Sequence, residues 1–94
     1  MVAKVEKATP EKLQELGVRK WPIWEKEKSV FDWEYDEQEI CYFLEGKVKV
    51  TSKPGGESVE FGKGDIVTFP KGLKCVWEVI EDVRKHYFFG ELSK

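Results

Sequence analysis

The chain has little histidine and little cysteine. Its 94 residues include one histidine, His86, and two cysteines, Cys41 and Cys75. The sequence has no Cys-x-x-Cys pair, so the usual spacing of a structural zinc site is missing. It also has no Gly-rich phosphate loop and no Ser-His-Asp set, which argues against nucleotide binding and serine hydrolysis. We expect both cysteines to be free thiols in a reducing cytosol, with a disulfide between them as the alternative.

Long apolar runs and an excess of one charge are also absent. The longest apolar runs are only a few residues, so we expect no membrane span. Sixteen basic and 18 acidic residues give a net charge of −2, and we therefore expect no nucleic-acid partner. The N-terminal segment lacks the apolar stretch of a secretory signal, which predicts a cytoplasmic protein.

The composition predicts one folded domain over residues 1–94. Hydrophobic residues make up 40%, aromatic residues 14% and charged residues 36%, which is typical of a globular chain. A domain of this length buries about 60–70% of the surface of its unfolded chain, so its core is modest. Since pairing with a second copy would bury more surface, we predict a homodimer, formed through sheet faces or exchanged N-terminal strands.

Short segments with frequent turn residues predict an all-β fold with one short N-terminal helix. Residues 2–7 are compatible with an edge strand, and Thr9, Pro10 and Gly17 have the residue types of a helix N-cap, first turn and C-terminal stop. Beyond Pro22 the apolar residues alternate with period two, and Gly and Pro turns separate eight segments. The predicted strands are 23–26, 30–35, 39–44, 47–52, 57–61, 65–69, 74–79 and 83–89. This pattern is typical of a β-sandwich or small barrel.

One hairpin is predicted more specifically. Pro54-Gly55-Gly56 has the composition of a turn. It separates one strand in which Val48 and Val50 alternate with polar residues from another in which Val59 and Phe61 do the same. We expect these four side chains to share one face of the hairpin.

Two motifs carry a resemblance to a known family. Gly64, Pro70 and Gly72 have the Gly-x5-Pro-x-Gly spacing of the second cupin motif, and Glu39-x6-Gly46 matches the end of the first. A 17-residue segment separates the motifs, which is typical of compact cupins. The chain therefore resembles the cupins. The resemblance implies an RmlC-like double-stranded β-helix, that is, a jelly-roll barrel.

Further segments are similar to the small single-domain cupins grouped with the (S)-ureidoglycine aminohydrolase cupin domain. These segments are Lys20-Trp21-Pro22-Ile23-Trp24, Phe31-Asp32-Trp33-Glu34-Tyr35-Asp36, Cys41-Tyr42-Phe43-Leu44-Glu45-Gly46, Val67-Thr68-Phe69-Pro70-Lys71-Gly72-Leu73 and Val83-Arg84-Lys85-His86-Tyr87. Most proteins of this kind have no assigned activity, so the resemblance implies a fold more than a reaction.

The resemblance also indicates which residues stand at the metal-ligand positions. Metal-binding cupins use two His and one Glu from the first motif and one His from the second. Here Glu39 matches the Glu, and Cys75 stands at the last His position. With a three-residue gap before Glu39, Trp33 and Tyr35 occupy the other two positions. The resemblance therefore implies a site without the usual His ligands.

A four-residue gap would instead place Asp32 and Glu34 at those two positions. We prefer the shorter gap, because Tyr35-Asp36-x-x-Glu39 mirrors the common His-Pro-x-x-Glu. Strand alternation then adds residues on the same face as Glu39 and Cys75. The predicted cavity is lined by Trp33, Tyr35, Glu39, Cys41, Cys75 and Trp77.

This pocket supports two interpretations of its polar groups. Glu39, Cys41 and Cys75 form a mixed oxygen and sulfur set suited to zinc, yet we do not favour a divalent metal and predict no other cofactor. The alternative is that both cysteines are small buried hydrophobic residues.

Glu39 also has two interpretations. A carboxylate in an aromatic pocket is desolvated, which suits a general acid or base. Equally, Glu39 could serve only to hold strands together through hydrogen bonds.

We therefore expect a cupin that binds an unidentified small molecule in an aromatic barrel pocket. The alternative is an enzyme that acts on a small metabolite, with Glu39 as acid or base or with the Glu/Cys metal site. A third interpretation is a structural module without a ligand. The cluster Arg84-Lys85-His86-Tyr87 is interpreted as a solvated or interface strand, with a pocket-rim role for His86 as the alternative. Trp21 and Trp24 are expected to close the barrel end or an interface.

Overall fold

The structure, a computed structural model, describes residues 2–53 and 55–90, which form nine elements. In chain order they are β1 (Lys4–Lys7), α1 (Pro10–Leu16), a 3₁₀ turn (Val18–Lys20), β2 (Ile23–Lys26), β3 (Ser29–Glu34), β4 (Glu39–Ser52), β5 (Ser58–Gly62), β6 (Asp65–Phe69) and β7 (Lys74–Phe89). The predicted β-rich fold with one short N-terminal helix is confirmed.

Helix α1 begins and ends at the residues that the sequence indicates. Thr9 Oγ1 accepts a hydrogen bond from the backbone N–H of Lys12 at 3.1 Å, and Pro10 occupies the first turn. Gly17 ends the helix in the left-handed region with φ of 71°, where a side chain would be strained. Within the described residues no helix has the length and apolar character needed to cross a membrane.

Strands β4 and β7 are continuous where the sequence predicts breaks. The prediction of separate strands at 39–44 and 47–52, and at 74–79 and 83–89, was wrong. The pairing of β4 with β7 shifts register between Phe43 and Val48 instead of ending there. Gly46 takes φ of 101° at this irregularity, so the strand bends without reversing. Two long bent strands therefore run through the whole barrel.

All strand pairs are antiparallel. The main sheet has the order β1-β6-β4-β7-β2, with β3 also pairing with β7 and β5 with β4. In the predicted hairpin Val48 lies opposite Phe61 and Val50 opposite Val59, as the alternation indicated. Of the predicted turn between these strands, Pro54 lies outside the described residues.

A hydrophobic core packs against each face of the sheet. The inner face carries the larger core, which includes Phe43, Phe69 and Val79. The outer face is covered by the N-terminal segment through Val18 and Trp21, whose indole stacks on Phe88 at 5.5 Å between ring centroids. Trp21 thus packs within the chain's own second core, which differs from the expected place at a barrel end or interface.

Candidate ligand-binding cavity

A cavity of about 560 Å³ opens on the inner face of the barrel. Seven of its eleven lining residues are aromatic, which makes its walls suited to an apolar, planar molecule. The lining residues are Trp24, Lys26, Phe31, Asp32, Trp33, Tyr35, Glu39, Trp77, Lys85, Tyr87 and Phe89. Its size is that of a site for a small organic molecule.

A buried ion pair lies in this cavity. Lys85 and Glu39 are each only 4% exposed, and Lys85 Nζ lies 3.3 Å from Oε2 and 3.4 Å from Oε1 of Glu39. Lys85 Nζ also donates to Cys41 Sγ at 3.2 Å. A buried charge of either sign is costly unless it is paired, and here each charge compensates the other.

Neighbouring strands fix the position of Lys85. On β7 it lies opposite Trp24 of β2 on one side and opposite Phe43 of β4 on the other. Residues directly opposite in an antiparallel pair share a face of the sheet, so both aromatic side chains flank the lysine stem. Trp77 lies further along β7 on the same face, because the strand is continuous and its side chains alternate.

The ammonium group of Lys85 faces aromatic rings as well as the carboxylate. Its Nζ lies 4.9 Å from the ring centroid of Trp24, 4.8 Å from that of Trp77 and 5.8 Å from that of Phe43. Each distance is within the range of a cation–π contact, which is worth about 2 kcal/mol when the cation is desolvated. We call Trp24, Trp77 and Glu39 the ammonium cage.

The Tyr35 hydroxyl is a second polar group of the cavity. Trp77 Nε1 donates to Tyr35 Oη at 3.1 Å. The Tyr35 backbone donates to the carbonyl of Leu73 at 2.9 Å and accepts from Gly72 N–H at 2.7 Å, so the Pro-x-Gly turn of the second motif fixes its place. Burial, and then the charge of Glu39, raise the pKa of Tyr35 well above its ordinary value, which keeps the hydroxyl protonated.

The structure brings four of the six residues predicted to line the pocket around the cavity. They are Trp33, Tyr35, Glu39 and Trp77. Trp33 is 48% exposed at the mouth, while the other three are buried. Cys41 and Cys75 do not line the cavity; both are buried in the larger core, which also includes Tyr35 and Trp77. Their small side chains leave the cavity wall to the larger aromatic rings and to Lys85.

Both cysteines are buried free thiols. Cys75 Sγ donates to the Trp33 carbonyl oxygen at 3.7 Å, and burial raises the pKa of Cys75 to about 11. Burial also raises the pKa of Cys41, by more than the nearby Lys85 ammonium lowers it. Both groups are therefore neutral thiols at pH 7, which makes them poor nucleophiles.

The donor set does not fit the metal of the metal-binding cupins. Of the residues at the four ligand positions, Trp33 offers no lone pair from its ring. Tyr35 Oη accepts a hydrogen bond from Trp77 Nε1, and Cys75 Sγ donates to the Trp33 carbonyl oxygen. Glu39 already holds the Lys85 ammonium. Across residues 2–53 and 55–90, no three His, Cys, Asp or Glu side chains are grouped to hold a metal, so Glu39, Cys41 and Cys75 do not form the mixed site that was the disfavoured alternative.

Lys85 is the site residue that the sequence analysis missed. The interpretation of residues 84–87 as a solvated or interface strand was wrong for this position. The signal was available, because Lys85 continues the odd-numbered inward positions of Cys75, Trp77 and Val83 along β7. The break predicted within β7 interrupted that alternation and left the lysine in a cluster of charges.

Trp24 and His86 also differ from expectation. Trp24 lines the cavity and does not close the barrel end. His86 does not line the cavity. Its Nδ1 lies 3.0 Å from the Trp21 carbonyl oxygen, and its ring stacks on Tyr42 with centroids 6.5 Å apart. His86 therefore belongs to the outer face of the sheet, and a pocket-rim role is not supported.

The bent antiparallel strands, the two glycine-containing motifs and the central cavity define a cupin barrel, here without the His ligand set. The sequence match gives the particular family. Residues 13–87 match the EutQ-like cupin domain, and the chain belongs to this family. No curated protein matches the chain.

Solved structures agree with this assignment. The chain is similar to a DUF861 family protein from Thermotoga maritima, with 63% identity, a TM-score of 0.90, and coverage of 93% of this chain and 98% of that one. The EutQ protein of Clostridium difficile is 22% identical with a TM-score of 0.66, over 94% of this chain and 67% of that one. A DUF861 family protein from Pseudomonas syringae, 26% identical with a TM-score of 0.62 over 69% of this chain and 28% of that one, is described as a protein of unknown function.

A more distant likeness is to the oxalate decarboxylase of Bacillus subtilis, a protein described as having Mn(II) centres. It is 22% identical with a TM-score of 0.56, over 98% of this chain and 26% of that one. At this identity, as with the Clostridium protein, the likeness establishes the fold alone.

Proposed function

We propose that the protein binds a small planar organic molecule in the aromatic cavity, without the His-bound metal of other cupins. The observation that carries this proposal is the combination of seven aromatic lining residues with the buried Lys85–Glu39 pair. Sites for small molecules typically combine apolar walls with a few fixed polar groups. Here the walls provide stacking surfaces, and the pair provides one hydrogen-bond donor and one acceptor group.

The mouth of the cavity exposes apolar surface that a ligand would cover. Trp33 is 48% exposed and Phe89 is 44% exposed, and both line the cavity. Deeper in the cavity, Phe31 stacks on Trp77 with centroids 5.9 Å apart and planes 20° apart. Covering the exposed rings would contribute about 25 cal/mol for each Å² removed from water. A flat ring covers such surfaces more completely than a compact aliphatic group.

The charges at the mouth favour a ligand with an acidic or oxygen-rich substituent. Asp32 is paired with Lys53 at 3.0 Å, so its charge is compensated. Lys26 Nζ lies 5.4 Å above the Phe31 ring and makes no ion pair with any described residue. The rim thus carries a lysine ammonium that is not held in a salt bridge with any described residue and would donate to a carboxylate or another anionic group.

A fragment screen by ligand-observed NMR tests this proposal. Planar aromatic acids, their amides and matched saturated rings are titrated against the wild type and against Trp33→Leu. Val30→Thr is the matched control, because Val30 lies on the same strand, is 67% exposed and does not line the cavity. We expect planar acids to bind most tightly and to lose affinity only in Trp33→Leu. Equal affinities in the two variants would place the binding site elsewhere.

A second candidate is an enzyme in which Glu39 acts as acid or base. The observation that favours it is that the Glu39 carboxylate, the Tyr35 hydroxyl and the Lys85 ammonium all line one cavity. Such a set can move a proton on a bound carbonyl compound while donors stabilise the oxygen. Proton exchange of a bound ketone in D₂O would reveal this activity. Its persistence in Glu39→Gln would remove Glu39 from the mechanism.

We also propose that the protein is a cytoplasmic homodimer. Two buried free thiols suit a reducing compartment. Val30 is 67% exposed on β3, which pairs only with β7 among the described strands, so apolar surface remains at this edge. Light scattering at micromolar concentration should give twice the chain mass of 11.0 kDa. A mass of one chain would end the dimer proposal.

A further inference from the structure

We propose that the ammonium cage is a binding site for a primary alkylammonium ion, and that the chain fills this site with its own Lys85. The resident cation of this cupin cavity is then a side chain. This inference goes beyond the proposed function, because it concerns Lys85, a cation of the chain itself. It does not depend on which small molecule the cavity binds.

The contacts of Lys85 are those by which proteins recognise a separate ammonium ligand. Two indole faces lie 4.9 and 4.8 Å from Nζ, and both oxygens of Glu39 lie within 3.4 Å. Aromatic cages that bind ammonium ligands combine cation–π contacts with a carboxylate in this way. The lysine is only 4% exposed, so the cation is held out of bulk water.

The ammonium cage includes a residue at one of the metal-ligand positions of the cupin motifs. Glu39 is the residue that matches the metal-ligand Glu of the first cupin motif. Its carboxylate is occupied by Lys85. At the remaining ligand positions Trp33 offers no lone pair from its ring, and the polar atoms of Tyr35 and Cys75 form hydrogen bonds within the chain. The positive charge that faces this carboxylate therefore comes from β7 and is covalently part of the chain.

A small molecule of the size of the Lys85 stem and its ammonium can be used to test the cage. Truncation of Lys85 to alanine leaves Cβ and removes three methylene groups and the ammonium, which together have the size of n-propylammonium. Trp24, Phe43 and Glu39 come from strands other than β7 and would still flank the vacated space. The variant should therefore bind n-propylammonium from solution.

The experiment measures the melting temperature and the affinity of Lys85→Ala with n-propylammonium chloride and with n-propanol. The alcohol has the same number of heavy atoms but no charge. We expect n-propylammonium to raise the melting temperature of the variant at millimolar concentration and to bind about tenfold more tightly than n-propanol. The wild type should show no such difference, because its own lysine occupies the cage.

The double variant Lys85→Ala/Glu39→Gln is the matched control. It keeps both indoles and removes the negative charge, and we expect it to lose about tenfold in affinity for n-propylammonium. Equal binding of the amine and the alcohol by folded Lys85→Ala would overturn the proposal. So would an amine response of the wild type as large as that of the variant.

A measurement on the wild type covers the case in which Lys85→Ala does not fold. With ¹⁵N-labelled lysine, the Lys85 ammonium protons should be shifted upfield by the two indole ring currents. They should also exchange slowly enough to be seen at neutral pH, where exposed lysine ammonium groups are lost. A Lys85 signal that behaves like those of the exposed lysines overturns the proposal regardless of the variant's stability.

Discussion

Lys85 and Trp24 face each other across β7 and β2, and the lysine ammonium lies 4.9 Å from the indole centroid. This relationship links the strand pairing of the barrel to the chemistry of its cavity. The register of two strands puts a cation beside an aromatic face, and β4 adds Glu39 at 3.3 Å. The cavity therefore has aromatic walls, and it contains one cation, Lys85, whose charge is compensated by Glu39.

Loss of one member of the buried pair should be more damaging than loss of both. Lys85→Met leaves the Glu39 carboxylate buried without a cation, and we expect it to lower the free energy of unfolding by about 3–5 kcal/mol. The double variant Lys85→Met/Glu39→Met replaces both charges with apolar groups of similar length, so it should be more stable than the single variant. Urea denaturation at pH 7 measures both. Additive losses in the double variant would show that the two groups do not stabilise each other.

Gly46 should tolerate alanine less well than Gly64. Both have positive φ, of 101° and 89°, so alanine is strained at either position by about 1–2 kcal/mol. At Gly46 a Cβ would also approach Val83 Cα to 2.7 Å, whereas at Gly64 nothing lies within 4 Å. We expect Gly46→Ala to cost about 2–4 kcal/mol because of this added overlap with the backbone. Thermal and urea unfolding measure the stability of both variants. If Gly46→Ala and Gly64→Ala lose the same free energy of unfolding, the close approach of β7 to the bend of β4 is contradicted.

Stability should fall as the pH rises above about 9. The folded chain raises the pKa of Cys75 from 9.0 to about 11, and it raises the pKa of Cys41 and Tyr35 as well. Between pH 9 and pH 11 the Cys75 thiol loses its proton in the unfolded chain but keeps it in the folded chain, so alkaline pH favours unfolding. Each such group contributes a slope of about 1.4 kcal/mol per pH unit. The Cys75→Ala variant should show a shallower slope between pH 9 and 11, and an unchanged slope would contradict the assignment to this thiol.

The two thiols should resist alkylation while the protein is folded. Both are buried and protonated at neutral pH, and iodoacetamide reacts with exposed thiolates. Mass spectrometry after treatment at pH 8 should show no adduct on the native protein and two adducts in urea. An adduct on Cys41 or Cys75 in the native state would place that thiol at an accessible surface such as the cavity.

Local patterns predicted much of the fold. Thr9, Pro10 and Gly17 indicated helix α1 because helix ends depend on nearby side chains and on φ. The period-two alternation predicted the pairing of Val48 with Phe61. The continuity of β4 was missed because Gly46 permits either a chain reversal or a bulge, and only its packing against β7 decides between them.

The candidate site was predicted in part. Motif positions and alternation placed Trp33, Tyr35, Glu39 and Trp77 around one space. Cys41 and Cys75 were expected to line this space, and they do not. Strand alternation shows on which face of the sheet a side chain lies, but not how far the side chain extends toward the cavity. Lys85 was missed because a lysine among charged neighbours is usually solvated. Its burial depends on a carboxylate 46 residues away in the chain, which no local pattern reveals.

Anomalous diffraction from crystals of untagged wild-type protein tests the central claim most directly. Crystals are grown with Mn²⁺ or Zn²⁺ present, and data are collected at the corresponding absorption edge. We predict no anomalous peak at Glu39, with Lys85 Nζ in density between Trp24, Trp77 and the carboxylate. A full-occupancy metal bound to Glu39, with the Lys85 side chain displaced from the cage, would contradict the account.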